Sequence, residues 1–149
     1  MLRMLAIGIV LVGSTFAIHA LGSTLWIEYM IRRYADHDGR WRRGTTMWVL
    51  MSTGILLLML HMSEALAWAI AYYLLPETPS LKTFEEAVYF SLVTFTTLGY
   101  GDITLGENWR ILSGAEAVNG ILLAGWSTAL LFTVVQRSWR LRHTPKKQQ

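Results

Sequence analysis

The stretch Thr96-Thr97-Leu98-Gly99-Tyr100-Gly101-Asp102 has the residue types that can replace the water shell of a monovalent cation with main-chain oxygen. To turn successive carbonyls toward one axis, the backbone must alternate between right-handed and left-handed dihedrals, and the left-handed ones disfavour any residue but glycine. Gly99 and Gly101 stand at alternate positions, as that alternation requires. In a soluble protein Gly-Tyr-Gly-Asp would read as a turn after a helix. Flanked by apolar spans, it reads as irregular backbone at membrane depth, admissible only where it is buried in protein or lines water. One such segment cannot surround an ion, so four copies are expected around it.

The elements that must position this stretch follow from composition. Of 149 residues, 53% are hydrophobic and 15% charged, too little polar surface to cover a soluble core. The chain belongs in a bilayer. Cysteine is absent, which excludes disulfides and thiolate metal sites. The net charge of +3 matters less than its placement. Arg32, Arg33, Arg40, Arg42 and Arg43 crowd one connection, and Arg137, Arg140, Arg142, Lys146 and Lys147 crowd the C-terminus. Both groups are expected on the cytoplasmic side.

Leu5 to about Ile31 forms the first apolar span, interrupted by small and polar residues such as Gly13, Ser14, Thr15, His19 and Glu28. Arg3 followed by an apolar run and small residues near Ala20 leaves a signal peptide as the alternative, although the pattern continues through Leu25, Trp26 and Ile27. Met47 to Leu75 forms the second span, with Trp48 at its head, Tyr72 and Tyr73 as an aromatic belt, and Pro76 and Pro79 beyond its end. Phe84, Ala87, Val88, Ser91, Leu92 and Phe95 mark a short amphipathic helix too brief to cross, which reads as re-entrant. Thr83 with Glu86 three residues on is a capping box that starts it near Phe84. Ile111 to about Val135 forms the last span. These readings divide the chain into residues 1–46, 47–136 and 137–149: a first helix with a basic connection, a central domain, and a basic tail. With the basic groups inside, the N-terminus lies outside and the C-terminus in the cytoplasm of a multi-pass protein of the cell membrane.

With those flanks, Thr97 to Asp102 resembles the selectivity filter of tetrameric potassium channels, whose common form has valine where Leu98 stands. The resemblance covers about Trp48 to Gln136. It implies an all-α membrane protein of outer helix, re-entrant pore helix, filter loop and inner helix, here preceded by an additional N-terminal transmembrane helix, assembled as a homotetrameric pore. By the same resemblance Thr97, Leu98, Gly99, Tyr100 and Gly101 form the filter, with potassium as the permeant ligand and no cofactor. Thr96, Asp102, Tyr89 and Phe90 support it, Tyr89 and Phe90 forming an aromatic cuff with Tyr100 and the Tyr89 hydroxyl donating to Asp102. A glutamate that some members carry four residues before the second filter threonine is Val93 here. Gly120, with Gly114 and Gly125 as rivals, stands near the level where inner helices of the family bend; close packing is the alternative role for such glycines.

Ionisable and polar groups inside spans are candidates for regulation. His61 and Glu64 share a face of the second span, His19 and Glu28 interrupt the first, and Glu116 and Asn119 the third. One expectation is that a subset pairs between helices and tunes opening with pH; the other is a satisfied interhelical hydrogen bond. Arg32, Arg33, Arg40, Arg42, Arg43, Arg137 and Arg140 are candidates for anionic lipid headgroups, beside their role in orientation. Their irregular spacing, broken by Asp36, Asp38 and Gly39, is unlike a voltage sensor. No nucleophile and base stand out for an enzyme, and nothing points to nucleic acid. The rival functions are a proton-coupled transporter using His61, Glu64 and Glu116, and a non-conducting sensor or scaffold subunit.

Overall fold

Three long apolar stretches, none interrupted by proline, form helices in a computed structural model that describes residues 2–35, 41, 44–75, 81–106 and 109–139. The architecture is all-helical: α1 (Leu2–Tyr34), α2 (Thr46–Leu74), the short α3 (Phe84–Phe95) and α4 (Arg110–Trp139). At about 1.5 Å per residue, the 33 residues of α1 extend roughly 50 Å, well beyond a hydrocarbon core of about 30 Å. α2 and α4, with 29 and 30 residues, also exceed that thickness. Each span therefore begins or ends outside the bounds that hydropathy marks, since a helix continues through interfacial residues that a hydropathy window trims.

Packing direction is fixed by contacts at the two ends. Gly8 near the start of α1 faces Leu112 near the start of α4. Met30 near the end of α1 packs with Val49 at the start of α2 and with Leu130 and Val134 near the end of α4. So α1 and α4 run the same way and α2 runs opposite. The second apolar cluster, at the other end, gathers Trp68 and Tyr72 of α2, Ala87, Phe90 and Phe95 of α3, and Trp109, Leu112 and Leu123 around α4. That cluster seats α3.

The burial pattern is that of a membrane protein. The buried stripe of α1 is Gly8, Thr15, His19, Ser23 and Met30, mostly small or polar, whereas Ile9, Val10, Leu21 and Leu25 face outward. Lipid tails supply no hydrophobic drive between helices, so small residues and hydrogen bonds hold the interior while aliphatic side chains meet the lipid. Two expectations change. Tyr72 belongs to no interfacial belt: it is buried on α3 and α4, while Tyr73 and Trp48 remain exposed. On α3 the buried face is Ala87, Phe90, Ser91 and Phe95, and Phe84 is exposed against the Tyr73 ring. Periodicity alone does not weigh Phe90 above Phe84; the position of α2 does.

Candidate functional site

α3 starts where its cap dictates. The Thr83 side chain accepts from the Glu86 backbone N–H at 3.1 Å, and the Glu86 carboxylate accepts from the Thr83 backbone N–H at 3.1 Å. At the other end the chain leaves the helix without losing its donors. The N–H of Thr97 donates to Thr94 at 2.9 Å, and those of Leu98 and Gly99 both donate to the Val93 carbonyl, at 2.9 and 3.2 Å. With the N–H groups turned back to α3, φ is positive at Thr97 (60°), Gly99 (57°) and Gly101 (78°), and at neither Leu98 nor Tyr100. This alternation turns the peptide planes one after another, and among the described residues no donor reaches the carbonyls of Thr97, Leu98, Gly99 or Tyr100. Thr97 is the unforeseen member: a β-branched residue in the left-handed region is a true outlier, worth about 1–3 kcal/mol of strain. Glycine is legible in a sequence as a left-handed position, and threonine is not.

Behind this loop the Tyr89 hydroxyl donates to Asp102 Oδ2 at 2.7 Å, closing the span from helix to loop end. That bond holds the Asp102 carboxyl below the usual carboxylate range and pushes the Tyr89 phenol above its ordinary value. Phe90 stacks edge-to-face on Tyr72 at 5.3 Å, which anchors α3 to α2, and with Tyr89 it also lines the cavity beside Thr97, Gly99 and Asp102. Leu98 and Tyr100 are 55% and 67% exposed. Thr96 donates through its hydroxyl to the Leu92 carbonyl at 2.6 Å, extending the end of α3.

Gly120 lies where α4 crosses the end of α3. A Cβ there would collide with the backbone of Phe95, whereas one at Gly114 or Gly125 would meet nothing of this chain. Gly120 is thus a point of closest approach between helices.

The polar residues of the spans gather in separate buried groups. Glu116 accepts from the Tyr72 hydroxyl at 2.7 Å and from Ser91 at 2.5 Å, and the Ser91 hydroxyl also faces the Ala65 carbonyl at 2.6 Å. Asn119 donates to Thr15 of α1 at 2.8 Å. Glu64 stands between two imidazoles, with Oε1 2.8 Å from His19 Nδ1 and Oε2 3.1 Å from His61 Nδ1. Ser127 Oγ closes the ring at 3.3 Å from His19 Nε2 and 2.9 Å from His61 Nε2. His61 and Glu64 are neighbours by helical spacing, but His19, Ser127, Tyr72 and Ser91 join these groups across 25 to 108 residues of chain, where no local pattern could announce them. The cluster stands beside the end of α3, with the His61 ring 5.9 Å from that of Phe95.

Of the basic candidates, Arg32 pairs with Glu28 at 3.5 Å, Arg33 lies over the Tyr34 ring at 5.8 Å, and Arg137 lies over Trp41 at 4.9 Å. The Trp41 contact puts the end of α4 beside the α1–α2 connection. Arg40, Arg42, Arg43 and Arg140 lie outside the described residues.

Two membrane-length helices flanking a short helix and a loop of unbonded carbonyls, with a third span packed on both, define a multi-pass membrane protein built around a re-entrant segment. The profile of the ion channel family matches residues 59–137, from mid-α2 through α3 and the loop to the end of α4. The chain belongs to the ion channel family. No curated protein and no solved structure matches it.

Proposed function

We propose that the chain is one subunit of a homotetrameric, potassium-selective channel in which potassium passes down its gradient between sites made of Thr97, Leu98, Gly99 and Tyr100 carbonyls. What carries this reading is the alternation of φ at Thr97, Gly99 and Gly101, with the intervening carbonyls left without donors. An oxygen that gives up water needs a partner, and a dehydrated cation on an axis shared by several copies is one. The C-terminal end of α3 carries partial negative charge toward the same loop. Leu98 and Tyr100, largely exposed in the single chain, supply the surface that neighbouring copies would bury.

In this arrangement the common end of Arg32, Arg33 and Arg137 faces the cytoplasm and the loop faces outside, and the basic side chains there sit at the level of anionic headgroups. The transporter alternative needs His61, Glu64 and Glu116 on one path, yet they lie in two groups with their hydrogen bonds made inside the protein. Potassium efflux from liposomes holding the purified protein, against a sodium control and with barium as blocker, tests the proposal. Barium-sensitive efflux that favours potassium is expected from the natural sequence, and loss of that preference from Tyr100→Asp. Equal sodium and potassium fluxes, or selectivity that survives Tyr100→Asp and Gly99→Ala alike, would overturn it.

A further inference from the structure

The ring of His19, Glu64, His61 and Ser127 is a buried group whose own hydrogens do not complete it. An ionised Glu64 only accepts, so both imidazoles present Nδ1–H to it, at 2.8 and 3.1 Å. Two neutral rings then each carry a bare lone pair on Nε2, and both lone pairs point at Ser127 Oγ, 3.3 and 2.9 Å away. A serine hydroxyl has one proton to give. One Nε2 stays unsatisfied in the interior, and the Glu64 charge stays uncompensated, unless the cluster takes in one more cation, a proton or a metal ion.

We infer that His19, His61 and Glu64 form a binding site for a divalent transition-metal ion of the zinc class, with Ser127 orienting both imidazoles. The ligand atoms of these three residues lie within 4.8 Å of one another. Bonds of about 2.0–2.1 Å in a tetrahedral shell place ligand atoms about 3.3 Å apart, close to the Nδ1–Glu64 separations of 2.8 and 3.1 Å. With the ion on the two Nδ1 atoms, the protons move to Nε2, and both Nε2–H groups donate to the two lone pairs of Ser127 Oγ. All four imidazole nitrogens then have a partner, and each ligating histidine has the second hydrogen bond that fixes its orientation. Two imidazoles and one carboxylate suit zinc, cobalt or nickel rather than calcium or magnesium, which take oxygen shells.

The site ties helices together. His19 comes from α1, His61 and Glu64 from α2, and Ser127 from α4. His19 and Glu64 are fully buried, while His61 is partly exposed and borders a cavity of about 370 Å³ that also touches Phe95, Thr97 and Gly120. That cavity gives an ion a way in.

Zinc retained by the full chain in detergent, after dialysis against dilute zinc, tests the inference apart from any question of conduction. One zinc per chain is expected. His19→Ala and His61→Ala should each abolish it, Ser127→Ala should weaken it about 10- to 100-fold, and the double variant His37→Ala, His143→Ala should keep it. Retention that is absent in the natural sequence, or undiminished in His19→Ala and His61→Ala, would overturn the assignment. Should those two variants fail to assemble, cobalt decides on the natural sequence alone. The strong visible absorption of four-coordinate cobalt supports the site, and weak six-coordinate bands or no bound cobalt overturns it.

Discussion

Thr97 and Gly99 hold the same left-handed backbone, at φ 60° and 57°, but only one of them does so without strain. Gly99→Ala adds about 1–2 kcal/mol at each copy, and in the proposed tetramer that cost recurs in every subunit. Potassium flux from liposomes should fall to background in that variant while helix content by circular dichroism is unchanged. Tyr89 and Asp102 give a prediction with a sign. The Asp102 carboxyl is lowered in the folded chain by the Tyr89 hydroxyl, so what this bond contributes is present above the ordinary carboxylate value of about 4 and is lost as pH falls through the lowered one. The Tyr89 phenol is raised, so its part is present below about 10 and is lost only as pH climbs past that. Both groups are solvent-exposed, and the effect is correspondingly modest. Tyr89→Phe should move the acid limb of conduction upward in pH and leave the range from about 5 to 9 flat, which single-channel or flux recording between pH 3 and 7 would read.

Short-range signals decided the elements that were legible. The capping box at Thr83 and Glu86 put the start of α3 at Phe84, because both partners lie within one helical turn and need nothing else. Thr83→Ala should cost about 0.5–2 kcal/mol and lower the thermal midpoint of the assembled protein. Which face of α3 is buried was not legible, since that depends on where α2 lies: Phe90 meets Tyr72, and Ser91 meets Glu116. The same dependence makes Glu116 a structural anchor between α2, α3 and α4. Glu116→Leu removes the acceptor that the Tyr72 and Ser91 hydroxyls share and leaves Ser91 only the Ala65 carbonyl at 2.6 Å, a change that should cost about 1–3 kcal/mol, and Glu116→Gln should recover most of the loss. Gly120 separates the two roles open to it. A packing glycine that admits no Cβ against Phe95 predicts that Gly120→Ala lowers the yield of assembled protein on size exclusion, while Gly125→Ala, with open space in its own chain, does not. A hinge alone would instead leave assembly intact and change only conduction.

At the scale of the molecule, the three spans and the order outer helix, short helix, loop and inner helix were written in hydropathy and one motif, but the place of α1 was not. Its partners are fixed by His19 with Glu64, Thr15 with Asn119, and Trp26 Nε1 donating to Thr53 at 3.1 Å, pairs separated by 27 to 104 residues. The family match begins at residue 59, so homology alone would make α1 an appendage. The hydrogen bonds argue otherwise. Removing residues 1–44 strips one imidazole from Glu64, the hydroxyl from Asn119 and the indole from Thr53, and bares the faces of α2 and α4 that α1 covers. Interhelical hydrogen bonds in membranes average about 0.6 kcal/mol, but polar groups left facing lipid can cost more. Residues 45–149 alone should therefore assemble at a yield well below that of the full chain, and co-expression of residues 1–44 as a separate fragment should restore it, because that fragment returns the contacts of α1 along its whole length together with Trp41. The same fragment carrying His19→Leu and Thr15→Val should restore far less. Full assembly of residues 45–149 unaided would mean that lipid satisfies those faces as well as α1 does.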